Sequence, residues 1–348
     1  FMGTAPFAVP SLKKIVSLNN HLVGVYTSPA KKANRGMKLS ISPVAEFAEA
    51  KNIEISSPPS ISSSEELKKL QEMNLDMIIV VAYGLILPEQ VINLPKLGCY
   101  NVHASLLPRW RGAAPIQRAM IEGDQTTGVT IMKMDKGLDT GDIGLQKEIK
   151  IEQQNYSELE KELANEGAEL LINFIDRLDG SIQFTKQNDT QACYAKKIQK
   201  QEALIDWNEN AEKINRRINA YNPSPCAWFS LNNKRIKIFS SDYLKTKEKA
   251  KIFFKEINEN KIDILIGTQM ISKGFNFPRL NCIIVIDADF SGRGYDLRTT
   301  EKNIQLYNQL SGRAGRFSPE SLIVYQTLSP ENITLNELIK NNPDEILI

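Results

Sequence analysis

The chain has 348 residues and two histidines, and one histidine stands where an imidazole can do chemistry. It lies in Tyr100-Asn101-Val102-His103-Ala104-Ser105-Leu106-Leu107-Pro108-Arg109-Trp110-Arg111-Gly112. Asn101 and His103 are two residues apart, so on a strand they share a side. Pro108 lacks a backbone donor and forces the chain out of regular structure beyond them. An amide and an imidazole aimed together supply an oxyanion donor and an acid/base. Asp139, in the glycine-punctuated stretch 134–142, adds a carboxylate able to orient the imidazole. A lone histidine beside an apolar strand is more often packed than catalytic; the amide before it and the carboxylate after it favour chemistry. The other histidine, His21, reads as a solvated loop residue.

Three apolar runs must position these groups: Asp76 to Gly84, Cys99 to His103, and Gly128 to Met134, the last closing on the Asp139 loop. Around them the pattern alternates. A helix is predicted over Phe7 to Ser17, a strand over His21 to Thr27, and a helix from Ser42-Pro43-Val44-Ala45-Glu46, which has the Ser, Pro and Glu of a helix start. A short strand follows at Ile53 to Ile55, then a serine-capped helix over Ser62 to Asn74. Later come a strand at Leu145 to Ile151 and a long helix at Ser157 to Leu178, with Leu159, Leu163, Leu170, Leu171, Phe174 and Ile175 as its core positions. Strand and helix in alternation predict an α/β fold, a parallel sheet with helices on both faces. Asn101, His103 and Asp139 would then sit on neighbouring strand ends, at a crevice. Gly3 and Gly84 do not make a dinucleotide-binding loop, since no Gly-x-Gly-x-x-Gly follows a strand.

Apolar residues make up 42% of the chain, and no run approaches the length of a membrane span. The formal charge of +2 announces no nucleic acid, so any basic surface must be local. Cysteines 99, 193, 226 and 282 are too widely spaced for a metal knuckle or a redox pair. No metal is expected, and a reducing cytoplasm suits these thiols.

Residues 1 to about 240 resemble the methionyl-tRNA formyltransferases. The resemblance is carried by Gly3-Thr4-Ala5-Pro6-Phe7-Ala8-Val9-Pro10, by Val81-Ala82-Tyr83-Gly84-Leu85-Ile86-Leu87-Pro88, and by the run from Asn101 to Gln117. The Asp139-Thr140-Gly141 loop and Tyr194-Ala195-Lys196-Lys197-Ile198 also fit. The Asn, His and Asp pattern is shared by folate-dependent formyltransferases; the Trp-Arg-Gly-Ala-Ala-Pro-Ile run is narrower and favours the tRNA enzyme. The resemblance implies a Rossmann-like catalytic domain over 1–184, a polar linker over 185–205, and an oligonucleotide-binding-type β-barrel beginning at 206. It implies transfer of a formyl group from 10-formyltetrahydrofolate to the α-amine of methionyl initiator tRNA. Asn101, helped by His103, would stabilise the developing oxyanion, and Asp139 would orient His103. Ser105, Leu106, Leu107 and Pro108, with Leu85, Ile86 and Leu87, would hold the folate. The basic loop with Arg35 and Lys38 would enter the tRNA acceptor end, and Lys196, Lys197 and Lys200 would share its contacts. A cytoplasmic monomer is implied. The family has a few more apolar residues before Phe1-Met2-Gly3, so the sequence reads as lacking its true start.

From about residue 240 the sequence resembles the primosomal replication-restart helicase. The signals are the run 263–278, Ile286-Asp287-Ala288-Asp289, and Gln309-Leu310-Ser311-Gly312-Arg313-Ala314-Gly315-Arg316. Paired arginines such as Arg313 and Arg316 reach the terminal phosphate of ATP. No Gly-x-x-x-x-Gly-Lys-Ser/Thr cradle exists in the chain. The expectation is a barrel truncated over 206–239, fused to a partial RecA-like helicase half-domain over 240–348, with no ATPase activity and at most weak DNA contact. Two other readings stay open. One is formyl transfer to a small amine, such as glycinamide ribonucleotide or an amino sugar; the other is a non-enzymatic or inert fusion with nucleic-acid affinity.

Overall fold

The computed structural model describes residues 1–240 except 19–21, 34–37, 153 and 179, then 264–266, 280, 282–286, 288, 305–307, 322–328, 331 and 335–336. The chain divides into two units, Phe1–Phe229 and Ser230–Ile348.

The first unit opens with β1 (Met2–Gly3), a 3-10 turn at Pro6–Ala8, and α1 (Val9–Ser17). The helix expected from Phe7 thus starts two residues later, after the tighter turn. Next are β2 (Val25–Tyr26), β3 (Lys31–Ala33), β4 (Lys38–Ser40), α2 (Pro43–Ala50), β5 (Ile55–Ser56) and α3 (Ser64–Glu72). Ser42 caps α2 by accepting from the Ala45 amide, and Ser63 caps α3 by accepting from Glu66. The central stretch holds β6 (Met77–Val81), α4 (Glu89–Ile92), β7 (Gly98–His103), β8 (Arg111–Gly112), α5 (Pro115–Glu122), β9 (Thr126–Lys133) and β10 (Ile143–Lys150). Then α6 (Tyr156–Asp176), β11 (Tyr194–Ala195) and α7 (Ala211–Tyr221) follow, and β12 (Ala227–Leu231) leads out of the unit. Asn155 caps α6, forming a capping box with Glu158.

Seven strands form one sheet in the order β10–β9–β7–β6–β1–β2–β5. From β7 to β5 all neighbours are parallel, as the alternation of strand and helix requires. The expectation of a parallel sheet needs one correction. β9 is antiparallel to β7, and β10 is antiparallel to β9. Only residues 134–142 join β9 to β10, and without a crossover helix two adjacent strands must run in opposite directions. The core lies on both faces. On one, Leu70, Ile78, Val80, Tyr83, Leu87 and Val91 pack together. On the other, α6 buries Leu159, Leu163, Leu171 and Phe174 completely. Gly167 lets this helix close on the sheet, for a Cβ there would stand 3.1 Å from Val102 and Val129.

Residues 185–205, which the sequence presents as a linker, are woven into the first unit. Thr185 bridges to Ile143, β11 pairs with β8, and Ala195 and Ala203 are buried. In the second unit, β13 (Lys234–Ser240) runs parallel to β14 (Ile264–Ile266), and β15 (Cys282–Val285) runs parallel to β16 (Leu322–Tyr325). Ala288, Tyr307 and Leu335 form a small core there. Among the described residues, no helix is long and apolar enough to cross a membrane.

Candidate active site

The alternation along β7 places Asn101 and His103 on the same side of the strand, and Asp139 meets both. Asn101 Nδ2 lies 3.4 Å from Asp139 Oδ1, and His103 Nδ1 lies 3.6 Å from Asp139 Oδ2. The His103 side chain is 6% exposed and that of Asp139 13%. His103 Nε2 is 2.9 Å from the Trp110 carbonyl oxygen. A carbonyl oxygen only accepts, so Nε2 carries a proton and Nδ1 is the ring atom turned toward Asp139.

Asp139 is not at a neighbouring strand end, as the sequence reading had it. Antiparallel pairing sets Lys133, the last residue of β9, opposite Tyr100, three residues before His103. The loop that follows must fold back along the sheet to bring Asp139 to His103. It does so with Asp139 at φ 54°, in the left-handed region that aspartate tolerates better than most residues. The Gly112 amide donates to Asp139 Oδ2 at 2.8 Å. Gly112 has φ 111°, and a Cβ there would press on the Ala195 carbonyl oxygen at 3.1 Å, so the position requires glycine.

The turn between His103 and Gly112 is fixed by its own polar groups. Thr130 Oγ1 donates to the Ser105 carbonyl and accepts from the Leu107 amide, while Ser105 Oγ donates to the Arg109 carbonyl. Trp110 is held by its amide on Cys193 Sγ at 3.2 Å and by Nε1 on Asp124 Oδ2 at 2.7 Å. Arg109 reaches the same carboxylate through Nε and Nη2 and lies over the Trp110 ring. Cys99, in the same strand as His103, is pushed up to about 12 by burial, so it stays a thiol and offers no nucleophile.

The residues expected to hold the folate divide into two sets. Ser105 and Leu107 are buried, with 0% and 3% exposure, and the Ser105 hydroxyl is already engaged. Leu106 and Pro108 keep accessible surface. After β6, Leu87 is buried, Leu85 is half-buried, and Ile86 is 92% exposed. Parallel pairing of β6 with β7 sets both segments beyond the carboxyl ends of adjacent strands. An uncovered isoleucine and three partly open apolar residues there fit a flat aromatic ligand. Of the expected RNA contacts, Lys196, Lys197 and Lys200 are exposed. Arg118 pins the Lys196 carbonyl with Nε and Nη2 and, bonded to Glu202, holds that carboxyl below the usual range. Lys38 lies in β4; Arg35, Arg313 and Arg316 lie outside the described residues.

Sequence reasoning missed the second layer of this site: Asp124, Cys193, Gln187 and Asp189. The Trp-Arg-Gly run marked where they attach, but nothing in the polar stretch that carries Gln187 set it apart from a linker.

Residues 2–175 match the family model "Formyl transferase", and residues 197–272 match "Formyl transferase, C-terminal domain". The second match runs past Phe239, where the barrel had been expected to break off. A methionyl-tRNA formyltransferase of Syntrophomonas wolfei is 45% identical over 244 residues, covering 69% of this chain and 78% of its own length. One from Bartonella quintana is 45% identical over 248 residues, covering 69% and 80%. The chain belongs to the methionyl-tRNA formyltransferase family. A solved 4-N formyltransferase from Francisella tularensis superposes with a TM-score of 0.54 at 21% identity, over 69% of this chain and 95% of that one. An N-formyltransferase from Helicobacter canadensis, solved on complex with folinic acid and dTDP-3-aminofucose, gives 0.52 at 21%, over 68% and 84%. At these identities the two structures speak for the fold alone.

Proposed function

We propose that the chain transfers a formyl group from 10-formyltetrahydrofolate to the α-amine of methionyl initiator tRNA. The observation that carries this is the meeting of Asn101, His103 Nδ1 and Asp139 at one point, with Nε2 tied back to Trp110. When bound, the folate supplies an activated formyl group. Asn101 Nδ2 donates to the formyl oxygen, on which negative charge develops as the amine attacks. His103 Nδ1 is the ring atom placed to take the proton that the amine gives up, because Nε2 is occupied by a backbone carbonyl, and it would return a proton to the folate nitrogen as the bond from that nitrogen to the formyl carbon breaks. Asp139, set by the Gly112 amide, keeps that edge of the ring in place. Leu106, Pro108 and Ile86 are the residues that would cover the folate ring; Ser105 and Leu107 support them from beneath. The free thiols suit a cytoplasmic protein.

The test is formylation by the full chain with initiator Met-tRNA, an amino-sugar nucleotide or glycinamide ribonucleotide as acceptor. Product on Met-tRNA alone is expected. Transfer to either small amine with none to tRNA would overturn the reading. Arg35, Lys38, Lys196, Lys197 and Lys200 are the proposed tRNA contacts, working through phosphate charge, so the Met-tRNA KM should climb steeply with salt. The later helicase-like run is read as a fragment that brings no phosphate cradle. The barrel it interrupts leaves tRNA handling the weaker part of the reaction. A chain whose residues after 239 are replaced by a complete family barrel should show a lower Met-tRNA KM; equal values across a salt series would make the interruption irrelevant.

A further inference from the structure

The loop that delivers Asp139 is braced by one side chain outside it. Gln187 Nε2 donates to the Asp139 carbonyl at 2.9 Å and to the Gly141 carbonyl at 2.7 Å. At its other end, Gln187 Oε1 accepts from Arg111 Nε at 2.9 Å. Arg111 is buried, and its Nη2 meets Asp189 at 2.8 Å. Arg111 and Gly112 make up β8, and the Gly112 amide is the short bond that holds the Asp139 carboxylate. One amide therefore joins the loop that carries Asp139 to the strand that receives it.

The loop needs such a brace. It folds back against the direction in which β9 delivers it, with Asp139 in a left-handed conformation. The direct contacts of Asp139 with Asn101 and His103, at 3.4 and 3.6 Å, are long and do not fix the loop by themselves. We infer that Gln187 is a positioning residue for Asp139, and through Asp139 for the Nδ1 edge of His103. The inference rests on the formyl-transfer reading above. Its amide fixes two carbonyls of the loop, and without it the carboxylate swings away from Gly112 and the ring loses its guide.

The experiment uses the full chain with Gln187→Ala and Gln187→Glu. Glutamate has the same shape and still accepts from Arg111, but as a carboxylate it cannot donate to the two carbonyls. With formyl donor and Met-tRNA both saturating, kcat should fall about 10- to 100-fold in both variants, the scale of a small misplacement of a catalytic group. Both KM values should stay near the parent's. In parallel, nitrogen-15 spectra of the imidazoles report His103 against His21, the only other histidine. The His103 nitrogens should shift or broaden in both variants while those of His21 stay put. Parent-like kcat with unmoved His103 signals would overturn the proposal, as would a loss confined to the Met-tRNA KM. If Gln187→Ala fails to fold, the isosteric Gln187→Glu decides alone. A parent chain inactive on Met-tRNA would count against the functional reading, and the His103 spectra would still judge Gln187.

Discussion

Strand β6 in the first unit and the parallel pair β15–β16 in the second are written in similar apolar residues. In β6, Ile78, Ile79, Val80 and Val81 are all buried, because material covers both faces of the sheet. In β15 and β16 burial alternates: Ile284 is 63% exposed, Leu322 57% and Val324 40%. The contrast teaches that an apolar run announces a strand, while its burial depends on what is laid over it. It also bears on chemistry. A strand gripped on both faces holds its polar end residues in fixed directions, and β7 uses this to aim Asn101 and His103.

The sharpest way to break the comparison is at the end of β7. His103→Ala and Asp139→Ala should each lower formyl transfer by about 10²- to 10⁴-fold at saturating donor, with melting temperatures close to the parent's. Near-parent turnover in either would mean that the gripped strand end is scaffold only. Next is the packing itself. Phe174 on α6 is fully buried and meets the Tyr100 ring at 4.7 Å, so Phe174→Ala should cost about 3–5 kcal/mol. Ile284→Ser should stay within about 0.5 kcal/mol, as substitutions at open sites do. Denaturant titration of each variant separates the two; comparable losses would show that the β15 face is covered after all.

A smaller effect should appear at Glu160, whose carboxyl burial raises above the ordinary glutamate range. A raised folded value means stability that is complete below the unfolded value and is lost as pH rises through the folded one. Glu160→Gln should therefore flatten the fall in melting temperature above about pH 4.3. A parent-like pH profile in the variant would remove Glu160 from the account. The smallest expected effect is none. The chain should show no DNA-stimulated ATPase, and Arg313→Ala with Arg316→Ala should change nothing; phosphate release that persists on repurification and falls in the variants would reveal a nucleotide site.

Much of the candidate site was legible because it rests on short periods. The two-residue spacing of Asn101 and His103 needs only a strand, and the Ser, Pro and Glu at Ser42 to Glu46 need only a first helical turn. What could not be read was direction. Residues 126–133 look the same whether β9 runs parallel or antiparallel, and that choice decides whether Asp139 arrives at a strand end or must fold back. The segment from Thr185 to Lys200 was opaque for a related reason. Its structure comes from polar side chains meeting distant carbonyls, as Gln187 does, and such pairings leave no periodic trace.

The two edges of the seven-stranded sheet are finished in different ways. At one, β10 presents Gln146, Lys147, Glu148 and Lys150, with Lys147 drawn into an ion pair with Glu166 on α6. At the other, β5 is only the two residues Ile55–Ser56. A charged strand repels a newcomer's backbone, and a two-residue strand gives it too few partners to grip. Both margins therefore disfavour a second copy, or a stray unfolded segment, that would continue the ladder. That property protects a chain whose central strands, once unfolded, would be sticky on both faces.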